Sequence, residues 1–215
     1  GSFPPTPRGV FCLPRQRPPI RRPRDALRRT LREHRRAMTA PARIAAAERL
    51  ASRLLSLPFA PASGAVAGYW AMDGEISLHA WQLRLPPEVT YCLPVLGADG
   101  RLRFAPWRPG APLSSNRFGI PEPDVPADAM LEPSALSLAV LPLVGFDARG
   151  NRLGMGGGWY DRSFAFRNVA GAAPPPWLVG AGFAGQQLDA IASEPWDVAV
   201  DATCTELATF ITGAA

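Results

Sequence analysis

Apolar and polar positions along this chain fall into blocks whose period changes from helical to extended and back. In "RDALRRTLREHRRAM" (24–38), Ala26 and Leu27, Thr30 and Leu31, and Ala37 and Met38 recur at helical spacing with arginines around the other faces, which predicts a helix. Thr39 is placed to cap a second helix with Pro41 in its first turn, Ile44, Leu50, Leu54 and Leu55 as its stripe and Pro58 as its stop. "GAVAGYWA" (64–71) reads as the first buried strand; Met72-Asp73-Gly74-Glu75 then turns the chain into a short amphipathic helix through Leu85. "VTYCLPVL" and "RLRFAPW" flank Gly97-Ala98-Asp99-Gly100, a hairpin signature. Residues 108–134, rich in Pro, Gly and Ser, read as a long functional loop containing "RFGIPEP" (117–123). Beyond it the pattern predicts a strand over 136–146, a helix over 158–166, a strand over 177–184, a short helix over 187–191 and a strand over 197–204. Strands alternating with helices, with no internal repeat, argue for an α/β layered domain.

Composition refines this picture at the N-terminus. All 23 basic residues are arginine, which removes Schiff-base chemistry and any nucleotide loop that depends on lysine. Residues 1–36 hold eleven arginines against Asp25 and Glu33, a balance of +9, while the rest of the chain is mildly acidic. The basic character therefore belongs to one end, and a nucleic-acid surface on the folded body is not indicated. Gly1-Ser2 resembles a cloning scar, and residues 1–23, rich in Pro and Arg without an apolar period, are expected to be disordered or a loosely docked arm. An Arg-rich, acid-poor start also leaves a targeting peptide open. The folded domain is expected over 24–212. No apolar run approaches the ~18 residues of a membrane span. Cys12, Cys92 and Cys204 are odd in number and far apart, which suits isolated thiols in a reducing compartment and predicts a cytoplasmic protein.

The densest chemistry lies in "GNRLGMGGGWYDRS" (150–163), with five glycines in its first nine positions. A strand, a Gly-rich turn and a helix can aim backbone N–H groups at an anion. The Walker loop requires a lysine that this chain lacks, and the dinucleotide pattern fails because its last glycine would fall at Trp159. That failure also argues against a nicotinamide oxidoreductase. What remains is a phosphate cradle of another class, or a structural turn. Arg152 and Arg162 bracket the glycines, Asp161 has the hard oxygen that magnesium prefers, and Trp159 and Tyr160 offer flat faces to a ring.

"NRLGMGGGWYDR" (151–162), preceded by "LPLVGFDARG", closely resembles the signature of the 5-formyltetrahydrofolate cyclo-ligase family. "RDALRRTLREHRRAM", "GYWAMDGEIS", "FGIPEP" and "EPWDVAVDATCTE" resemble further family segments in the family's order. The resemblance implies a single three-layer α/β domain, NagB/RpiA/CoA transferase-like, with a mostly parallel mixed sheet flanked by helices. It implies an enzyme that uses ATP and magnesium to close a ring on 5-formyltetrahydrofolate, possibly polyglutamylated. The formyl oxygen attacks the γ-phosphate, the second folate nitrogen attacks the activated carbon, and phosphate leaves. Arg152 would be catalytic; the ATP site would comprise Arg24, Arg28, Arg152, Leu153, Gly154, Met155, Gly156, Gly157, Gly158, Trp159, Tyr160 and Asp161. Asp161 and Asp197 would bind magnesium, and Glu75, Met155, Trp159 and Tyr160 the folate. Met155, basic in some relatives, and Trp159, more often Tyr or Phe, depart from the pattern. Gln186 and Trp107 read as scaffold or pocket wall. A monomer or weak dimer without a membrane partner is expected, and the charge pattern disfavours a nucleic-acid partner. Two other readings stand beside the cyclo-ligase one: a paralogue that keeps the ATP site for another substrate, and an RNA-binding protein working through the Arg-rich end.

Overall fold

The computed structural model describes residues 22–212. The expectations for residues 1–21, Cys12 among them, lie outside the described residues. Helix α1 (Arg22–Arg36) starts two residues before the sequence pattern places it. Helix α2 (Ala40–Leu55) is capped as expected, with the Thr39 hydroxyl accepting from the Ala42 N–H. The strands are β1 (Gly64–Ala67), β2 (Val89–Leu96), β3 (Leu102–Pro106), β4 (Leu113–Ser115), β5 (Pro121–Pro123), β6 (Leu138–Pro142), β7 (Gly145–Phe146), β8 (Arg152–Leu153), β9 (Trp177–Ala181), β10 (Ala202–Cys204) and β11 (Thr209–Ile211). Helix α3 (His79–Leu83) links β1 to β2, and α4 (Trp159–Ser163) follows β8.

Seven strands form one sheet in the order β11-β10-β9-β6-β1-β2-β3. The five inner strands are parallel and the two edge strands antiparallel. After β1 the chain moves outward to β2 and β3, then returns to the other side of β1 as β6. The strand order thus reverses between β1 and β6, and a crevice opens beyond their C-terminal ends.

Each face of the sheet has its own apolar cluster. On one face, Leu50 and Leu54 of α2 and Trp81 of α3 cover Val66, Leu138, Val140 and Val179. On the other, Leu178, Leu141 and Phe104 are covered by Phe164 after α4 and by Val198 and Val200. This second layer is thin, built from a five-residue helix, 3₁₀ turns and extended chain. A third small cluster seats Leu27 and Leu31 of α1 against Val144 and Leu153.

Several expected elements end early, each for a local reason. The apolar run 136–146 breaks after Pro142 because the Leu143 and Val144 carbonyls turn to the buried Gln186 side-chain amide. The chain then forms the β7–β8 hairpin. The helix expected over 187–191 is absent, since the Leu188 N–H donates to Phe146 O and the Ile191 N–H to Asp147 Oδ2. The strand expected over 197–204 shrinks to β10, as the Val198 and Val200 N–H groups donate to Asp161 and to Gly150 O. The helix expected over 158–166 stops at Ser163 and passes into a 3₁₀ turn, Ala165–Asn168. The long loop 108–134 contains the small β4–β5 hairpin, and β11 was not foreseen.

Candidate functional site

The glycine loop is launched by β8. The β7–β8 turn is closed by Asp147, a fully buried carboxylate accepting from the Arg149, Asn151 and Ile191 N–H groups and the Asn151 amide at 2.9–3.1 Å. Burial pushes this carboxyl's pKa up, but those hydrogen bonds outweigh it and hold the group below the usual carboxylate range. Asp147 was overlooked in the sequence, where only its place in a D-x-x-G turn could have marked it.

Within the loop, Gly156 (φ 98°) and Gly158 (φ 68°) occupy the left-handed region, so the backbone itself requires glycine at both. A Cβ at Gly157 would come within 3.0 Å of the Trp159 ring, and one at Gly154 would meet only Arg152, at 3.4 Å. Because α4 is barely more than one turn long, an anion here would be held by individual N–H groups rather than by a helix macrodipole.

Arginines approach the loop from α1 and β8. Arg28 donates from Nε to Gly154 O at 2.8 Å, and Arg24 reaches Asp197 Oδ2 at 3.2 Å. The Arg152 side chain is 5% exposed, pairs with Asp161 Oδ1 at 2.6 Å, and keeps a buried Nε without a partner among the described residues. Asp161 does not cap α4. Its Oδ1 also accepts from the Val198 N–H at 3.0 Å, which draws the Asp197 segment alongside.

At the other end of the cavity, Glu75 is largely buried; its Oε2 accepts from the Met72 N–H at 2.9 Å, and burial pushes its pKa up. Burial together with the charge of this carboxylate raises the Tyr160 pKa well above the ordinary value. Trp159 instead lies between the guanidiniums of Arg117 and Arg162, 5.6 and 5.2 Å from its ring. The structure therefore separates the aromatic pair: Tyr160 feels the charge of Glu75, and Trp159 belongs to an arginine stack.

One cavity of about 590 Å³ is lined by Arg24, Arg28, Glu75, the whole stretch 152–161 and Asp197. Every residue expected at the site lies on its wall. Gln186 is buried scaffold, and Trp107 stands behind Trp70, edge to face with it. The sequence reading missed Arg35, Tyr69, Trp70 and Asp73 on the wall, together with the exposed Phe118 and Trp196. Arg35 and Asp73 carried no visible signal because each was one charge among many.

The donor set can be tested against magnesium. Asp161 and Asp197 each spend one oxygen on protein donors; the other, Oδ2 of Asp161 and Oδ1 of Asp197, has no hydrogen bond among the described residues. No cluster of three or more His, Cys, Asp or Glu side chains able to hold a metal occurs among the described residues. Two carboxylates fit an ion that keeps several waters and takes its remaining ligands from a polyphosphate.

A sequence model of the 5-formyltetrahydrofolate cyclo-ligase family matches residues 21–206. The 5-formyltetrahydrofolate cyclo-ligase of Haemophilus influenzae is 34% identical over 179 residues, covering 81% of this chain and 93% of that protein. Its Escherichia coli K12 counterpart is 33% identical, with 81% and 96% covered. Among solved structures, Aquifex aeolicus 5,10-methenyltetrahydrofolate synthetase superposes with a TM-score of 0.74 at 27% identity, covering 89% of this chain and 94% of that one. A Mycoplasma pneumoniae 5,10-methenyltetrahydrofolate synthetase shares the fold, with a TM-score of 0.63 at 20% identity over 86% and 99% of the two chains. The match runs from α1 through the glycine loop to the strand after Asp197, so this chain belongs to the 5-formyltetrahydrofolate cyclo-ligase family, ATP-dependent ligases acting on folate in one-carbon metabolism.

Proposed function

We propose that residues 24–212 form one catalytic domain that converts 5-formyltetrahydrofolate to the 5,10-methenyl product with magnesium and ATP, through the residues gathered around this cavity. The observation that carries the reading is convergence. Arginines at 24, 28 and 152, a glycine loop, two carboxylates and a buried acid at 75 meet around a single ligand-sized space.

The formyl oxygen attacks the γ-phosphorus, the bond to ADP breaks, and a phosphorylated imidate forms. The second folate nitrogen then attacks the activated carbon, and phosphate leaves with the former formyl oxygen. An amide-like oxygen is a poor leaving group, and phosphorylation makes it a good one. The protein's task is then positioning and charge neutralisation. Leu153, Gly154, Met155, Gly156, Gly157 and Gly158 offer backbone groups to the triphosphate, with Arg24 and Arg28 on its flank. Arg152, whose buried Nε has no partner among the described residues, stabilises the phosphoryl group in transfer. Asp161 and Asp197 hold magnesium, which when bound neutralises phosphate charge. Glu75 accepts hydrogen bonds from the pterin N–H groups, Tyr160 lines the same end, and Met155 and Trp159 border the folate.

Cys92 and Cys204 are free and buried, which suits the reducing cytoplasm. No helix of the described residues is long and apolar enough to cross a membrane.

The deciding experiment mixes purified protein, 5-formyltetrahydrofolate and Mg·ATP and follows the near-ultraviolet absorbance of the methenyl product. Product with stoichiometric ADP supports the reading. ATP binding without product would assign the cavity to a different substrate.

A further inference from the structure

The Arg35 side chain is 1% exposed, yet it carries a full positive charge at the cavity wall. Replacing a buried ion pair by apolar groups is often neutral or stabilising, so stability alone does not account for an arginine here. Each of its three nitrogens is engaged: Nε donates to Asp73 O at 2.9 Å, Nη1 to Leu143 O at 3.3 Å and Nη2 to Asp73 Oδ2 at 3.1 Å. Nη2 also lies 3.9 Å from Glu75 Oε1. Leu143 follows β6 and Asp73 follows β1, so one guanidinium ties α1 to both chain segments at the switch point. Asp73 is the one non-glycine residue among those described with a positive φ (52°), and Arg32 and Arg36 close on it from the same helix. Nothing in the cyclo-ligase chemistry described above uses Arg35 or Asp73.

We propose that Arg35 is a positioning residue for the folate end of the cavity: through Asp73 it fixes the 72–75 turn, and it holds its guanidinium 3.9 Å from the Glu75 carboxylate. The proposal rests on the reading of Glu75 as the acid that binds folate. The charged and titratable groups that act on Glu75 are Arg35 and Arg32 from α1, Asp73 from its own turn, Tyr69 just beyond β1 and Tyr160 from α4. Both phenols stay neutral, because burial raises their pKa values. Burial favours the protonated acid at Glu75, Arg35 and Arg32 oppose that, and Asp73 reinforces it. The two neighbours therefore have opposite signs. Arg35→Gln removes a positive charge and raises the Glu75 pKa, whereas Asp73→Asn removes a negative one and lowers it.

The test measures KM and Kd for 5-formyltetrahydrofolate and for ATP, across the acid-to-neutral range, in wild type, Arg35→Gln, Asp73→Asn and Glu75→Gln. Arg35→Gln is expected to weaken folate binding, with a loss that deepens as pH falls and the Glu75 carboxylate takes up a proton. Its ATP affinity should change far less, which also reports that the variant is folded. The pH at which folate affinity is half lost should rise in Arg35→Gln and fall in Asp73→Asn, and Glu75→Gln should lose that transition. A merely structural pair would move both profiles the same way, or neither. That result overturns the proposal, and if Arg35→Gln does not fold, an unmoved Asp73→Asn profile overturns it alone. Unchanged folate affinity in Glu75→Gln would instead overturn the folate reading itself, and the proposal with it.

Discussion

Replacing Arg152 by alanine separates catalysis from folding more sharply than any other single change. Its guanidinium pairs with Asp161 at 2.6 Å and is 5% exposed, so the substitution removes a shielded charge-assisted hydrogen bond. Stranding a buried partner commonly costs about 3–5 kcal/mol. Here Asp161 keeps its bond from the Val198 N–H and is 20% exposed, so about 2 kcal/mol is the better figure. For a chain of this size that lowers Tm by roughly 4–8 °C, leaving the protein folded at assay temperature. The catalytic loss should be larger. Removing one group that stabilises transition-state charge typically costs about 10²–10³ in kcat, or roughly 3–4 kcal/mol. The assays are methenyl-product absorbance under saturating Mg·ATP and folate, and thermal melting of the same preparation. A kcat within about threefold of wild type, on the scale where tenfold is 1.36 kcal/mol, would refute the role given to this arginine. So would a loss of turnover fully matched by loss of folded protein.

Three further outcomes are expected. Gly156→Ala places a Cβ at φ 98°, a strain of about 1–2 kcal/mol that the loop relieves by shifting its N–H groups; calorimetry should show weakened ATP binding with folate binding retained. Asp161→Asn or Asp197→Asn should raise the magnesium concentration for half-maximal rate by about tenfold or more, and excess magnesium should partly rescue turnover. Asp147 should carry part of the acid sensitivity. Its hydrogen bonds overcome the upward push of burial and set its folded pKa below the unfolded value of about 3.9. The stabilisation is therefore complete above the unfolded value and is lost as pH falls through the folded one; melts of Asp147→Asn should be flatter over that window.

How much of this was legible in the chain follows from how far each interaction reaches. The Thr39 cap, the Gly97-Ala98-Asp99-Gly100 hairpin and the glycine loop are settled by residues within a few positions of one another, and all three could be read directly. The helix expected over 187–191 failed because the donors it needed were taken by Phe146 and Asp147, more than forty positions upstream. The run 197–201 failed as a strand for the same reason, drawn off by Asp161 and Gly150.

The site divides along the same line. The sequence by itself determined the chemical parts, because the order of arginine, glycines, aromatic pair and aspartate in 152–161 is a local property of the chain. It also determined the α/β class, through the alternation of apolar runs with amphipathic ones. Only the tertiary structure decided that Arg28 meets Gly154 across 126 positions, that Arg24 meets Asp197 across 173, and that Trp159 lies between Arg117 and Arg162. It alone singled out Arg35 from 23 arginines, because burial and the partners that satisfy a buried charge arise only when distant segments pack.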